Sequence, residues 1–247
     1  DEDLSRGLGD VYKRQNSYHK NILKVIGILL AAGSSKRFEA DKLFIEYEDK
    51  ELIRFPIETF LKNKNISLLV IVCNNENIKR INEILSSMNF KQEVITILGG
   101  KTRHESEVLG LRALDEFDIE KNDLIAIHDC ARSFLPADLL EDLIIEAKKY
   151  GSCSPVMKAK FISKTSNEIV SENIMEIQTP QLFTFDILEK AYLHNDEKIM
   201  DSHDTTQQVS KILGVESRVI NGSNLNLKIT YKEDLEILKS RLAGSIK

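Results

Sequence analysis

Four short apolar runs set the strongest limit on what this chain can fold into: KVIGILL (24–30), LLVIVC (68–73), VITIL (94–98) and LIAIH (124–128). Runs of this length without polar alternation are the pattern of strands covered on both faces. Between and after them lie segments with helical spacing, at residues 53–61, 76–88, 104–117 and 137–150, the last opening just behind Pro136. Such alternation predicts a mostly parallel sheet between two layers of helices, an α/β/α arrangement.

The pattern changes after a short strand at 152–156. Residues 157–177 mix β-prone and polar side chains and read as an arm or hairpin outside the alternation. Helices are expected again at 183–194 and 206–213, strands at 217–220 and 225–230, and a closing helix from 231 to about 242. With no internal repeat, residues 24–247 read as one domain carrying the arm as an insertion. The first 23 residues hold no sustained period and are expected to be a flexible leader or a cloning or translation remnant, outside the fold.

At 247 residues the chain can bury a full core. Its formal charge of -5 argues against an extended nucleic-acid surface but leaves room for a local basic pocket that takes phosphates. Three cysteines without a CxxC spacing suit a reducing compartment, and no apolar span is long enough for a membrane, so a cytoplasmic enzyme is expected.

An open parallel sheet binds ligands at the carboxyl ends of its strands, and four polar loops follow predicted strands here. Ala31-Ala32-Gly33-Ser34-Ser35-Lys36-Arg37 offers small residues for close backbone approach and a cation in Arg37, with Lys42 following in the next loop. It matches neither the P-loop nor the dinucleotide glycine spacing, and a plain strand exit with solvated cations is the competing reading. Gly99-Gly100-Lys101-Thr102-Arg103-His104-Glu105-Ser106 opens a helix; it can meet a nucleotide through Gly100 and Ser106, or be only a glycine turn capped by Thr102 or Ser106. In LIAIHDCARSF, Asp129 is placed to hold Mg²⁺ and Arg132 to hold a phosphate, unless the two form a structural ion pair. Lys228, within NLNLKIT, either faces the phosphates or lies on the exposed side of a strand. The histidines form no zinc signature.

Taken in order, LLAAGSSKRF with Lys42, GGKTRHES, IHDCARSF, IQTPQLF and NLNLKIT resemble the 2-C-methyl-D-erythritol 4-phosphate cytidylyltransferases, relatives of the ribitol-phosphate cytidylyltransferases, across about residues 24–242. The resemblance implies a three-layer, Rossmann-like nucleotidyltransferase fold with a protruding β-arm that pairs subunits in a homodimer. It implies Mg²⁺-dependent transfer of CMP from CTP to a polyol phosphate, with release of pyrophosphate, in isoprenoid biosynthesis by the methylerythritol phosphate pathway. Ala31, Ala32, Gly33, Gly100, Arg103 and Ser106 would then line the nucleotide site. Arg37, Lys42 and Lys228 would serve the reacting phosphates, Asp129 the metal and the acceptor, and Arg132 the acceptor phosphate. Thr179, Pro180 and Gln181 look like scaffold.

The chain departs from the family's pattern at Ser133, at Asp41-Lys42-Leu43, at Ala159 and Glu172 in the arm, and at Asp204-Thr205. A carboxylate at Glu172 repels a phosphate that an arginine would attract, unless Lys158, Lys160 or Lys164 compensates. The departures leave ribitol phosphate, another sugar-phosphate reaction, or a non-catalytic nucleotide-binding protein as alternatives.

Overall fold

The apolar runs become adjacent strands. In the computed structural model, residues 23–33, 41–159, 174–193, 202 and 204–245 are described. Strand β1 (Val25–Leu30) lies between β4 (Ile66–Cys73) and β6 (Leu124–Asp129), and β5 (Glu93–Leu98) lies beyond β4, all parallel. On the other side of β6 come β9 (Gln181–Thr184), β7 (Ser152–Lys158) and β10 (Val219–Asn221), giving the order β10-β7-β9-β6-β1-β4-β5. Only β9 and the short β8 (Met175–Ile177), which pairs with β7, run against the rest. The sheet is therefore mostly parallel. Because β1 has β4 on one side and β6 on the other, a crevice opens at the carboxyl ends beside β1, where the order reverses.

Each face of β1 packs against its own helical layer. Val25 and Leu29 meet the helices α1 (Arg54–Lys62), α2 (Ile78–Ser86) and α4 (Ala137–Tyr150), through residues such as Phe60, Ile81 and Leu143. Ile26 and Ile28 meet the other layer, where Leu111 of α3 (Arg103–Arg112) joins Leu188, Tyr192 and Val209. Gly27 permits the first contact: a Cβ there would stand 2.6 Å from side-chain atoms of both Phe60 and Leu69. Helix α4 ends as its sequence dictates, with Gly151 at φ 78° and its N–H on the Ala147 carbonyl.

Several expectations need correction. The helix expected at 183–194 begins as strand β9, because Phe183 pairs with Ile125 of β6; only Phe185–Leu188 (α5) and a π-turn at Glu189–Leu193 are helical, and His194 lies outside the described residues. Residues 225–230 form no strand. Their alternation is real, since Leu227 and Ile229 pack on Leu52, Leu235 and Leu238, but among the described residues the segment pairs with no strand, Ile229 N–H reaching the Ala131 carbonyl and Asn226 N–H the Ser223 carbonyl. A hairpin of β2 (Glu46–Tyr47) and β3 (Lys50–Glu51), too short to show a period, was not anticipated. Helix α6 (Thr205–Leu213) and a last helix, α7 (Lys232–Ser245), stand within a few residues of expectation. Where the arm is expected, β7 and β8 pair from Val156 to Lys158, Ala159 N–H reaches the Ile174 carbonyl, and residues 160–173, with Glu172, lie outside the described residues, as do residues 1–22 of the expected leader.

Candidate active site

The four polar loops converge on one cavity of about 790 Å³ at the carboxyl ends of the central strands. Ala31, Ala32 and Gly33 form its floor, continuing β1. Ala31 is fixed on both sides: its N–H reaches the Val72 carbonyl, and its own carbonyl accepts from Asn77 Nδ2 at 2.8 Å. Asn77 is buried at the start of α2, so that helix is tied directly to the floor. Arg37 lies outside the described residues.

The glycine loop makes one wall. Thr102 caps α3, accepting from Glu105 N–H, whereas Ser106 braces the loop by accepting from Gly100 N–H at 3.2 Å and donating to the Thr102 carbonyl. Gly99 must be bare, since a Cβ would stand 2.7 Å from Ala32 Cβ and 2.8 Å from Ser106 Oγ. Floor and wall therefore touch, which brings Gly100, Arg103 and Ser106 onto the same cavity as Ala31–Gly33.

Asp129, at the end of β6, organises the charged side. Its Oδ1 accepts from Arg103 Nε at 3.1 Å and its Oδ2 from Lys228 Nζ at 2.6 Å. Burial alone would raise this carboxyl, but Arg103, Lys228 and Arg132 outweigh it and hold it well below the usual range. Burial likewise works against the Arg103 cation, and Asp129 with Glu107 overcomes it, so the guanidinium stays charged. Four cationic side chains, on Lys42, Lys101, Arg103 and Lys228, line the cavity against the carboxylates of Glu76 and Asp129. A chain of negative total charge thus carries a basic cavity, suited to polyanions.

One reading of the IHDCARSF loop changes with this geometry. Arg132 does not line the cavity; it is buried behind the wall, donating from Nη1 to the Asn226 carbonyl and from Nη2 to the Ile177 carbonyl. It pairs with neither Asp129 nor the cavity and joins β8 to the Lys228 segment. At Asp129, where Mg²⁺ is expected, Arg103 holds Oδ1 and Lys228 holds Oδ2, so a metal carried by the triphosphate would share this carboxylate with them.

The QTPQ-like turn supplies the scaffold. Thr179 Oγ1 accepts from Asp129 N–H at 3.1 Å and faces His128 Nδ1 at 3.0 Å. The Arg132 carbonyl, 3.1 Å from His128 Nε2, can only accept, so Nε2 carries the proton and Nδ1 accepts from the Thr179 hydroxyl. Complete burial enforces that neutral ring, bringing its pKa down to about 4 against a partial pull upward from Asp129. Asn226 Nδ2 donates to the Thr179 carbonyl, Gln178 holds Ser223 through both ends of its amide, and Gln181 Oε1 accepts from Thr206 N–H. The turn thereby fixes Asp129, the Lys228 segment and the start of α6 together.

A family model described as 2-C-methyl-D-erythritol 4-phosphate cytidylyltransferase matches residues 25–243. The chain belongs to that family. A 2-C-methyl-D-erythritol 4-phosphate cytidylyltransferase of Clostridium tetani is 33% identical over 222 residues, covering 86% of this chain and 87% of the relative. One of Alkaliphilus oremlandii is 30% identical over 239 residues, covering 91% and 99%. In fold, the crystal structure of a 4-diphosphocytidyl-2C-methyl-D-erythritol synthase from Anaerococcus prevotii superposes with a TM-score of 0.75 at 23% identity, covering 90% of this chain and 96% of the other.

Several residues of this cytidylyltransferase site escaped the sequence. Asn77 sits in a polar stretch, NNEN, with nothing to mark it, and Glu107 occupies a helix position that spacing alone would give to packing. Asn226 carries a signal, the alternation of NLNLK, in which Leu227 packs into the core, Asn226 bonds the Thr179 carbonyl and Lys228 lines the cavity.

Proposed function

We infer that this protein transfers CMP from CTP to 2-C-methyl-D-erythritol 4-phosphate and releases pyrophosphate. Family membership over nearly the whole chain supports the reaction, and one observation carries it into the geometry: Lys228, Asp129 and Arg103 form a linked charged wall opposite a floor of small residues. The floor and the Gly100 loop take the nucleotide, since the small residues Ala32, Gly33 and Gly100 let a ligand lie close against the backbone. Lys42, which lines the cavity from the next loop, faces the triphosphate.

The chemistry is in-line attack by an oxygen of the acceptor phosphate on the α-phosphorus of CTP. A P–O bond forms to the acceptor while the bond to the β-phosphate oxygen breaks, and pyrophosphate takes the electron pair. A phosphate monoester is largely dianionic near neutral pH, its second pKa being about 6. No general base is needed, and the protein's part is to position the partners and neutralise charge. Asp129 does this indirectly by holding Lys228 and Arg103 in place. Mg²⁺ belongs to this reading as a companion of the triphosphate, whose hard oxygens match it, and Asp129 is the carboxylate that would join its coordination.

The coarser surroundings follow the same reading. Pairing of β7 with β8 gives the arm a rigid root, with exposed Met175 upon it, and a homodimer formed through the arm is proposed as the working unit. Cys73, Cys130 and Cys153 are buried free thiols, and no helix among the described residues is long and apolar enough to cross a membrane, in keeping with a cytoplasmic place. The test supplies CTP and Mg²⁺ with either 2-C-methyl-D-erythritol 4-phosphate or ribitol phosphate and follows pyrophosphate. Turnover with the first well above the second is expected. Preference for ribitol phosphate, or no release with either, overturns the assignment of acceptor or of activity respectively.

A further inference from the structure

Behind Arg103 stands a buried carboxylate that the reaction itself does not use. Glu107 is 1% exposed, one turn along α3 from Arg103, and its Oε1 accepts from Arg103 Nη1 at 2.7 Å. The same oxygen accepts from Thr205 Oγ1 of α6 at 2.5 Å, and Thr205 is fully buried beside the cap made by Asp204. Arg103 is therefore gripped from two sides, with Nε on Asp129 and Nη1 on Glu107, while Nη2, itself buried, has no hydrogen-bond partner among the described residues and the side chain lines the cavity.

We propose that Glu107 is the positioning residue for Arg103: by taking Nη1 on an oxygen that α6 also holds, it fixes the guanidinium plane so that Arg103 meets the nucleotide in one orientation. A guanidinium is a planar fork, and two of its three nitrogens held in plane determine where the third points. With Nε alone on Asp129, the fork keeps a rotation that Glu107 removes. The charges alternate along the row Glu107, Arg103, Asp129, Lys228, and the row runs from α6 to the segment before α7. A carboxylate kept only for stability needs none of this linkage to the cavity.

The inference rests on the cavity being the CTP site, so its test begins with CTP binding to the intact wild-type protein by calorimetry, beside steady-state KM and kcat. Glu107→Ala is expected to weaken CTP binding and raise its KM about tenfold with a smaller change in kcat, and Glu107→Gln, which can still accept from Arg103 and Thr205, to recover most of that loss. Arg103→Ala combined with Glu107→Ala should bind CTP no more weakly than Arg103→Ala alone, since the carboxylate acts through the arginine. If Glu107→Ala does not fold, Thr205→Val reads the same linkage from α6 and is expected to raise the CTP KM a few-fold. Unchanged CTP affinity in these variants, or additive losses in the double variant, overturns the role of Glu107 and leaves the nucleotide site standing. Failure of the wild-type protein to bind CTP removes the nucleotide reading and this inference with it.

Discussion

Asp129 holds a different cation on each oxygen, and that pairing makes it a useful point at which to perturb the site. Asp129→Asn keeps the shape but removes the charge that holds Arg103 and Lys228. Loss of one preorganised electrostatic contact of this kind costs about 10²-fold in kcat, and turnover is expected to fall by that order, with a drop in melting temperature because buried Arg103 loses one of its two carboxylates. Retained turnover would show that Lys228 does not depend on Asp129. His128 makes a pH prediction. Its unfolded ring takes a proton near pH 6.5 and the buried ring only near 4, so between these values the unfolded state binds more protons and stability rises with pH. The contribution is up to about 3 kcal/mol across that window. Asp129, depressed, adds stability that is lost only at lower pH. Glu107, raised first by burial and only partly relieved by Arg103, acts with the opposite sign and loses its contribution as pH rises through its folded pKa. Urea unfolding from pH 4 to 7 should therefore show a shallower slope in His128→Asn than in the wild type, and equal slopes would contradict the neutral buried ring.

Elements place these residues by ordinary packing. Lys228 has no strand to hold it; Leu227 and Ile229 on either side are anchored under α7 by Leu235 and Leu238. Ile229→Ala should cost about 2–5 kcal/mol by the cavity it leaves and also lower kcat, because the same residue fixes the backbone that carries the lysine. A stability loss without a fall in kcat, measured by denaturation beside turnover, would separate packing from placement. At Gly27 the opposite change applies: an added methyl meets two fully buried side chains, so Gly27→Ala is expected to destabilise by about 1–3 kcal/mol. Sequence periodicity revealed the buried strands and α4 because runs such as LIAIH and LLVIVC are long enough to show their burial. It misread 183–194 because Phe183 suits both states and only pairing with Ile125 decides, and it misread 225–230 because alternation reports facing, not partnership.

For the whole molecule, the topology turns separated loops into one site. β1, β4, β5 and β6 all point the same way, so loops at 31–33, 74–76, 99–106 and 129–132 meet at one edge, and the reversal of strand order beside β1 leaves the opening between them. The loops at 31–33, 99–106 and 129–132 were legible in the sequence, since each followed an apolar run, whereas 74–76 carried no mark. The partners of Asp129 were not legible: Arg132 is three residues away and Lys228 is 99, yet the distant lysine bonds the carboxylate and the near arginine holds the wall from behind. Chain proximity gives no measure of contact when the loop turns the nearer side chain inward. The central claim is that this charged edge joins CMP to the acceptor phosphate. Its most direct test is ³¹P NMR of wild-type protein and Lys228→Ala with CTP, Mg²⁺ and 2-C-methyl-D-erythritol 4-phosphate. The account predicts a new pair of coupled diphosphate resonances and free pyrophosphate in equal amounts with the wild type, formed at least about 10²-fold more slowly by the variant. No diphosphate product from the wild type, or equal rates from both proteins, would contradict it.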